Sequence, residues 1–355
     1  MLHMKTFEID GRLIGDEQPV YCTAEIGSNF DGDIKRAKYL IDLAKKSGAD
    51  AVKFQSFLTD KIISKEGFKN LKKGFQAKWK KPVYEIYKSA EFPREWHKEI
   101  FDYCKQKKIT FFSAPYDFEA VDLLYDLGIS VYKIGSGDIT WLEIIRYIAE
   151  KGKPIILGTG ASTIKEIQEA VKTIKSTGNN KIVLLQCVTN YPSSFENANI
   201  RAMIKLREKF DCLVGYSDHT PGSIVPLGMT AIGGCIIEKH FTDDKKRDGP
   251  DHPFAMDADD FKNMVENIRN LEKALGSDKN IYPEEDETVI LQRRCLRASE
   301  DIKKGSLLTR NMIDVLRPAP KNCIYPKHID EIIGLKLNKD IKKGEHLTWD
   351  VINKK

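Results

Sequence analysis

Gly215-Tyr216-Ser217-Asp218-His219-Thr220 and, shortly after, Ile236-Ile237-Glu238-Lys239-His240-Phe241 are the stretches from which the fold is read. Each follows or ends a short apolar run, Cys212-Leu213-Val214 or Gly234-Cys235-Ile236-Ile237. Runs of this kind make fully buried parallel strands, and here polar residues gather only at the carboxyl end. That is the end where parallel barrels keep their chemistry. Two imidazoles at the ends of successive strands can meet one ion in a barrel mouth, and alternation along a strand puts Glu238 on the side of His240. Either histidine alone reads first as a hydrogen-bonded core residue; the pair, with Asp218 and Glu238 beside it, reads as a site.

Working outward, β-prone runs alternate with helical periodicity eight times between residues 20 and 275. The strands are expected at 20–26, 50–55, 109–114, 130–134, 154–158, 181–188, 212–217 and 234–240. Between them lie amphipathic stretches such as Ile34, Ala37, Leu40, Ile41 and Ala44, or Ile164, Ile167, Ala170, Val171 and Ile174, each spaced as one helix face. Strand, helix, strand implies right-handed crossovers and a parallel sheet. Eight repeats with every strand apolar predict an α/β fold closed as a (β/α)8 TIM barrel, with an open doubly wound sheet as second choice. The 355 residues suit a barrel of about 250 plus an appendage.

One interval breaks the rhythm. Residues 56–92 hold lysines from Lys61 to Lys81 amid Phe68, Phe75, Trp79 and Tyr84. So long a loop with interleaved aromatics is expected to be ordered, as a lid, a dimer contact or a solvated basic face. After Leu275-Gly276-Ser277 the polar run Tyr282-Pro283-Glu284-Glu285-Asp286-Glu287 reads as a boundary. Beyond it, residues 298–309 recur as residues 337–348, each copy a turn, Asp-Ile-Lys-Lys-Gly, between short apolar runs. The organisation expected is a barrel over 1–280, a linker over 281–293 and a small, pseudo-symmetric, mostly β domain over 294–355. A module of about 60 residues carries little stability alone, so docking on its own or a neighbouring barrel would add burial.

Fifty-seven basic residues are interspersed with 52 acidic ones for a net charge of +5, which argues against nucleic acid and suits an anionic small substrate. Seven cysteines without a C-x-x-C pair, three of them in strands (Cys187, Cys212, Cys235), read as thiols of a reducing compartment. Met1 to Val20 lacks an apolar core and no run reaches the ~18 residues of a membrane span. The expectation is a soluble, cytoplasmic protein.

The predicted strand ends collect Glu25, Gln55, Ser113, Lys133 with Ser136 and Asp138, Thr159 with Gly160, Tyr191, Asp218 with His219, and Glu238 with His240. A purely structural barrel has little reason to gather so many polar groups at one end. Ile134-Gly135-Ser136-Gly137-Asp138 and Gly158-Thr159-Gly160-Ala161-Ser162-Thr163 are glycine turns whose backbone N–H groups suit an oxyanion. Glycine turns with a Ser or Thr cap begin many helices; Lys133 makes these two a plausible phosphate and carboxylate clamp.

Glu25-Ile26-Gly27, Lys53-Phe54-Gln55, Tyr132-Lys133-Ile134-Gly135-Ser136-Gly137, Ser217-Asp218-His219-Thr220, Glu238-Lys239-His240-Phe241 and Gly249-Pro250-Asp251, in that order, resemble the sialic acid synthase family. The tail, with Leu316-Arg317-Pro318, resembles that family's C-terminal antifreeze-like (SAF) domain. The resemblance implies condensation of phosphoenolpyruvate with an N-acylmannosamine-type sugar, giving a nine-carbon 2-keto sugar acid and phosphate in a barrel dependent on Mn²⁺ or Mg²⁺. By position it implies His219 and His240 as metal ligands, and Lys133, Ser136, Gly158, Thr159, Gly160 and Ser217 around phosphoenolpyruvate. Gln55, Asp138, Tyr191, Asp251 and Arg317 would hold the sugar. Glu25 and Glu238, with Lys133, would be catalytic. It further implies a homodimer with swapped C-terminal domains.

The chain departs from that pattern at Phe30, Ala114, Gly158, Asp138 and Gln186. Phe30 and Asp138 are expected to bear on which sugar is accepted. The readings left open are another phosphoenolpyruvate-condensing 3-deoxy-ulosonate synthase, a metal-dependent aldolase, a Schiff-base aldolase using Lys133 or Lys239, and a non-catalytic carbohydrate-binding protein.

Overall fold

The computed structural model describes residues 5–352, except the side chain of Lys78; residues 1–4 and 353–355 of the expected domains lie outside that description. The chain divides after Gly276 into two compact units.

The first unit opens with a hairpin, β1 (Thr6–Ile9) and β2 (Arg12–Gly15), paired antiparallel. Eight strands follow: β3 (Tyr21–Glu25), β4 (Ala51–Ser56), β5 (Thr110–Pro115), β6 (Tyr132–Ile134), β7 (Ile155–Gly158), β8 (Ile182–Cys187), β9 (Leu213–Asp218) and β10 (Ile236–His240). Each lies within two residues of its predicted position. They form one parallel sheet in the order β5-β4-β3-β10-β9-β8-β7-β6, and β5 and β6, its two ends, lie side by side and close the ring. Among the described residues each strand leads to one long outer helix, over 34–46, 96–107, 118–127, 142–150, 164–176, 202–210, 224–231 and 258–275. The fold is a (β/α)8 barrel.

Local chemistry sets the helix starts. Thr163 caps the helix over 164–176, its side chain accepting from Glu166 N while the Glu166 carboxylate accepts from Thr163 N. Ile167, Ala170, Val171 and Ile174 are buried beneath it, whereas Ile164, expected on the same face, is 42% exposed in the first turn.

Alternation divides the strand residues into two cores. Outward residues such as Cys22, Val52, Phe54, Tyr132, Leu184 and Ile237 pack beneath the helices. Inward residues such as Tyr21, Phe112, Ile156, Val183, Leu213 and Ile236 fill the lower barrel, and the hairpin closes the floor with Ile9 and Ile14, both fully buried. The mixed polar composition of Met1 to Val20 does not by itself predict this hairpin. Its turn is Asp10-Gly11, both at positive φ (50° and 78°), the strongest short hairpin signal a sequence carries.

The second unit confirms the repeat. β11 (Cys295–Ala298) and β12 (Ile313–Leu316) pair antiparallel. Ile302 and Ile341, equivalent in the two copies, exchange backbone hydrogen bonds of 2.9 Å each. Asp301 accepts from Lys343 N (2.9 Å) and Lys342 Nζ (2.8 Å), and Asp340 accepts from Lys304 N (2.8 Å) and Lys303 Nζ (2.9 Å). Each aspartate thus holds the other copy's turn. The stretch read as a connector carries a short exposed helix, Asp286–Gln292.

All seven cysteines are buried free thiols. No helix among the described residues is long and apolar enough to cross a membrane.

Gly215 occupies an inward position on β9, where a Cβ would stand 2.3 Å from the Ile236 carbonyl oxygen and 2.8 Å from Leu185 Cδ2. Because the nearer obstacle is backbone, Gly215→Ala is expected to destabilise the barrel by about 3 kcal/mol, read from urea unfolding. A loss below about 0.5 kcal/mol would contradict this close approach.

Candidate active site at the barrel mouth

Above the apolar floor the inward positions turn polar. Glu25, Lys53, Lys133, Ser217 and Glu238 come from five strands into one buried layer. Lys133 Nζ donates to both oxygens of Glu238 at 2.8 Å, and Ser217 Oγ donates to Glu238 Oε1 at 3.0 Å. Lys53 Nζ lies 2.8 Å from Glu25 and 3.8 Å from Glu238, and Gln55 Nε2 donates to Glu25 Oε1 at 2.7 Å. Burial alone would raise the Glu238 carboxyl, but Lys133 and Lys53 outweigh it and hold the group at about 2. Burial likewise opposes the charge of Lys53, which Glu238 and Glu25 restore, leaving its pKa raised.

Lys53 is a buried member of this layer that position at a strand end does not pick out. The available signal was alternation, since Lys53 and Gln55 share one face of β4.

His219 stands just beyond β9. Asp218 accepts from Thr220 N (2.9 Å) and Thr220 Oγ1 (2.8 Å), and Lys239 Nζ donates to Asp218 at 2.6 Å, which fixes the turn. His219 Nδ1 bonds the Val188 carbonyl at 2.9 Å, orienting the ring and leaving Nε2 for a ligand. Burial, reinforced by neighbouring His240, pushes its pKa down to about 3, so the imidazole is neutral, the form that ligates. The two rings are 5.5 Å apart, and His240 Nδ1 is buried without a hydrogen-bond partner.

Among the described residues no group of three or more His, Cys, Asp or Glu is arranged to hold a metal. His219 and His240 would offer an ion two nitrogens, its other ligands coming from substrate and water. The oriented, neutral His219 ring and His240 Nδ1, which makes no hydrogen bond and lies 3.6 Å from Asp251 Oδ2, fit that arrangement.

These groups open into one cavity of about 450 Å³, within the usual range for small-molecule sites. Gln55, Lys133, Ser136, Asp138, Tyr191 and Asp251 all line it. The Tyr191 ring lies 4.2 Å from that of His219, and Asp251 accepts from Ser28 Oγ at 3.0 Å. Burial pushes the Asp138 carboxyl up to about 6.

Gly158, Thr159 and Gly160 are not brought to the cavity wall. Thr159 N and Oγ1 both donate to the Leu185 carbonyl, and Gly160 N donates to Ser136 Oγ at 2.9 Å. A Cβ on Gly158 would stand 2.7 Å from Ser136 Oγ. The loop backs Ser136 with N–H groups already committed inside the protein.

Phe30 corrects an expectation. It is fully buried among the rings of Phe54, Phe92 and Trp96, in the outer core away from the mouth. Gln186 also points outward, donating to the Ala198 carbonyl at 3.3 Å. Ala114 and Asp138 do face the cavity. Arg317 lies exposed after β12 in the second unit.

Within the interval over 56–92, apolar residues between Phe57 and Ala90 wall the cavity. Tyr116 and Phe254, neither singled out in the sequence, complete that wall.

Glu238→Gln leaves two buried lysines facing one carboxylate, and the variant is expected to lose about 3 kcal/mol at pH 7. The wild-type carboxyl is depressed in the folded state, so its contribution is full above 4.5 and lost as the pH falls towards 2. Urea unfolding of both proteins from pH 7 to pH 3 should therefore show the gap closing. A gap that widens in acid would contradict the assignment.

The sequence profile of the NeuB family matches residues 40–280, and that of the SAF domain matches residues 293–352. The chain is 37% identical to the N,N'-diacetyllegionaminic acid synthase of Legionella pneumophila, covering 95% of this chain and 96% of that one. It is also 37% identical to the pseudaminic acid synthase of Campylobacter jejuni serotype O:2, covering 93% and 96%. The crystal structure of a sialic acid synthetase from Leptospira borgpetersenii superposes with a TM-score of 0.73 at 30% identity, over 81% of this chain and 97% of that one. With its barrel, its C-terminal module and its mouth of strand-end carboxylates, lysines and imidazoles, the chain belongs to the NeuB family.

Proposed function

We propose that the protein condenses phosphoenolpyruvate with an N-acylmannosamine-type sugar aldehyde, giving a nine-carbon 2-keto sugar acid and phosphate. The observation that carries this reading is the buried layer of Lys53 and Lys133 against Glu25 and Glu238, opening beside two imidazoles. The lysines, with Ser136 and Ser217, suit the carboxylate and phosphate of the enol substrate. Gln55, Tyr191, Asp138 and Asp251 border the same cavity and suit the hydroxyls and amide of the sugar.

In the reaction C3 of the enol bonds to the aldehyde carbon, water adds at C2, and the bond from C2 to the phosphate oxygen breaks. One proton goes to the aldehyde oxygen; the water gives up one proton as it adds and the second, to the departing phosphate, as C2 becomes the ketone. Glu238, held ionised in the free protein, gains proton affinity when substrate anions share Lys133 and Lys53, which suits it to take up a proton once the site is filled. Glu25, braced by Gln55 and Lys53, is the second proton carrier. A divalent ion such as Mn²⁺ or Mg²⁺ on His219 and His240 would supply Lewis-acid polarisation of the aldehyde oxygen.

Phosphate release from phosphoenolpyruvate should depend on an N-acyl sugar, stop on chelation and return with Mn²⁺ or Mg²⁺. Turnover undiminished by exhaustive metal removal would sink the assignment of His219 and His240. Lys133→Met should raise the KM for phosphoenolpyruvate at least about ten-fold and that of the sugar far less; equal losses would assign Lys133 to the fold alone.

Arg317 is the candidate from the second unit, acting on the sugar across a homodimer with exchanged C-terminal domains. Arg317→Ala should cripple turnover while leaving thermal stability nearly unchanged. Mixed with inactive His240→Ala protein under subunit exchange, it should regain activity, because a swapped heterodimer holds one site with both residues intact. Exchange without recovery would defeat the swap.

A further inference from the structure

The loop that leaves β3 and the loop that leaves β10 meet beside the cavity and are tied at two levels. At the cavity face, Ser28 Oγ donates to Asp251 Oδ2 at 3.0 Å, and that oxygen lies 3.6 Å from His240 Nδ1. Gly27, at φ 52°, leaves room for the carboxylate, since a Cβ there would stand 2.8 Å from Asp251 Oδ2. Behind this face, Asp31 receives three basic groups. His252 Nε2 lies 2.9 Å from Asp31 Oδ1, and because an ionised carboxylate can only accept, the ring donates. Arg247 Nη2 at 2.9 Å and Arg36 Nε at 3.0 Å reach Asp31 Oδ2. Burial alone would raise the Asp31 carboxyl, but His252, Arg247 and Arg36 outweigh it and hold the group below its ordinary range. His252 is fully buried, and its Nδ1 is 2.7 Å from Thr242 Oγ1. A Cβ on Gly249 would stand 2.6 Å from His252 Cδ2, so the turn Gly249-Pro250-Asp251 folds directly against the ring. Neither Asp31 nor His252 lines the cavity, yet the ring they fix is the sequence neighbour of a carboxylate that does.

We propose that Asp31 and His252 are positioning residues that act through Asp251, their contact holding the Gly249-Pro250-Asp251 turn so that the carboxylate faces the substrate between Ser28 and His240. The inference rests on the condensing function, in which Asp251 accepts from a hydroxyl of the sugar. Without the contact, the ring keeps only Thr242, and the turn folded on it loses its tie to the loop that carries Ser28. A substrate-holding group misplaced by about 1 Å can cost up to about a hundred-fold in rate, so a pair outside the cavity is felt inside it. The lysines that suit phosphoenolpyruvate stand on β4 and β6, which the pair does not touch. The effect therefore falls on one substrate and spares the other.

The test measures KM for each substrate on the full-length protein loaded with Mn²⁺, reading phosphate release. The sugar is N-acetylmannosamine or 2,4-diacetamido-2,4,6-trideoxymannose, whichever the wild-type protein turns over faster. Asp31→Gly is chosen because the position is at φ 52°, where alanine would be strained. Asp31→Gly and His252→Phe, each checked for a thermal transition close to that of the wild type, should raise the sugar KM at least about ten-fold and that of phosphoenolpyruvate less than about two-fold. If the fully buried His252→Phe fails to fold, Asp31→Gly carries the test, its side chain being 27% exposed. His252→Gln, whose amide N–H can donate where Nε2 does, should keep the sugar KM within about three-fold of wild type. Because Asp31 acts through Asp251, Asp31→Gly should add less than about three-fold to the sugar KM of Asp251→Ala. An unmoved sugar KM in a folded variant, equal losses for both substrates, a His252→Gln as poor as His252→Phe, or full additivity with Asp251→Ala overturns the inference and leaves the condensing function standing. Phosphate release with neither sugar overturns the condensing function, and the inference falls with it.

Discussion

Four charges inside a barrel are the constraint around which the rest of this structure is arranged. Lys53, Lys133, Glu25 and Glu238 are each at most 5% exposed, and each ion of this kind gives up several kcal/mol of hydration on burial. Mutual attraction recovers this only where the geometry is good and the remaining hydrogen bonds are made. Both conditions depend on the scaffold: parallel strands of fixed register set the spacings, while Ser217 and Gln55 occupy further acceptor positions. Beneath the layer, Ile9 and Ile14 of the hairpin and the inward residues of the strands keep water from below. A hydrophobic layer of the same volume would often be as stable or more so. That polar side chains stand here instead is an argument for use, and the charge balance explains how the layer persists without substrate.

Much of this was legible because apolar runs with polar ends have few interpretations. The eight strands were readable from short β-branched segments, and His219, His240, Glu238 and Lys133 from their places at strand ends. Lys53 shows where such reading weakens, because the one step that assigns it to the barrel interior is parity against Gln55, and that requires knowing where the strand begins. Phe30 shows the opposite failure. It lies past the end of β3, where alternation no longer applies, and its side chain turns back into the outer aromatic core. Gly158 and Gly160 read as an anion loop because glycine turns look alike in sequence; that the N–H groups of Thr159 and Gly160 are already engaged, by the Leu185 carbonyl and Ser136 Oγ, is a tertiary fact.

In the second unit the repeat was visible as spacing, but its purpose was not. A small module has little apolar surface to bury and needs its turns held by other means. Here each copy lends its aspartate to the other's Lys-Lys-Gly turn, and the second turn is held from its own copy as well, where Glu345 accepts from Lys342 N at 2.7 Å. The core of Leu296, Ile302, Leu308, Leu337, Ile341 and Leu347 lies between them. Exposed ion pairs of this sort contribute little each, and the stabilisation here comes chiefly from the backbone N–H groups that the aspartates accept.

The barrel thus separates two tasks by structural origin. Charge and imidazole nitrogen come from strand ends, where the sheet fixes each side chain, while much of the cavity wall comes from one long insertion after β4. An insertion can change its side chains without disturbing strand register, so its specificity can drift while the chemistry beneath stays constant. The lysines on its outer face serve the same separation, keeping a segment rich in phenylalanine and tryptophan soluble so that its rings can face inward. Asp138 lies at the seam, on a turn that follows a barrel strand yet borders the aromatic wall. Its carboxyl, pushed up to about 6 by burial, makes no ion pair among the described residues, whereas Glu25 and Glu238 beneath it are each held by a lysine.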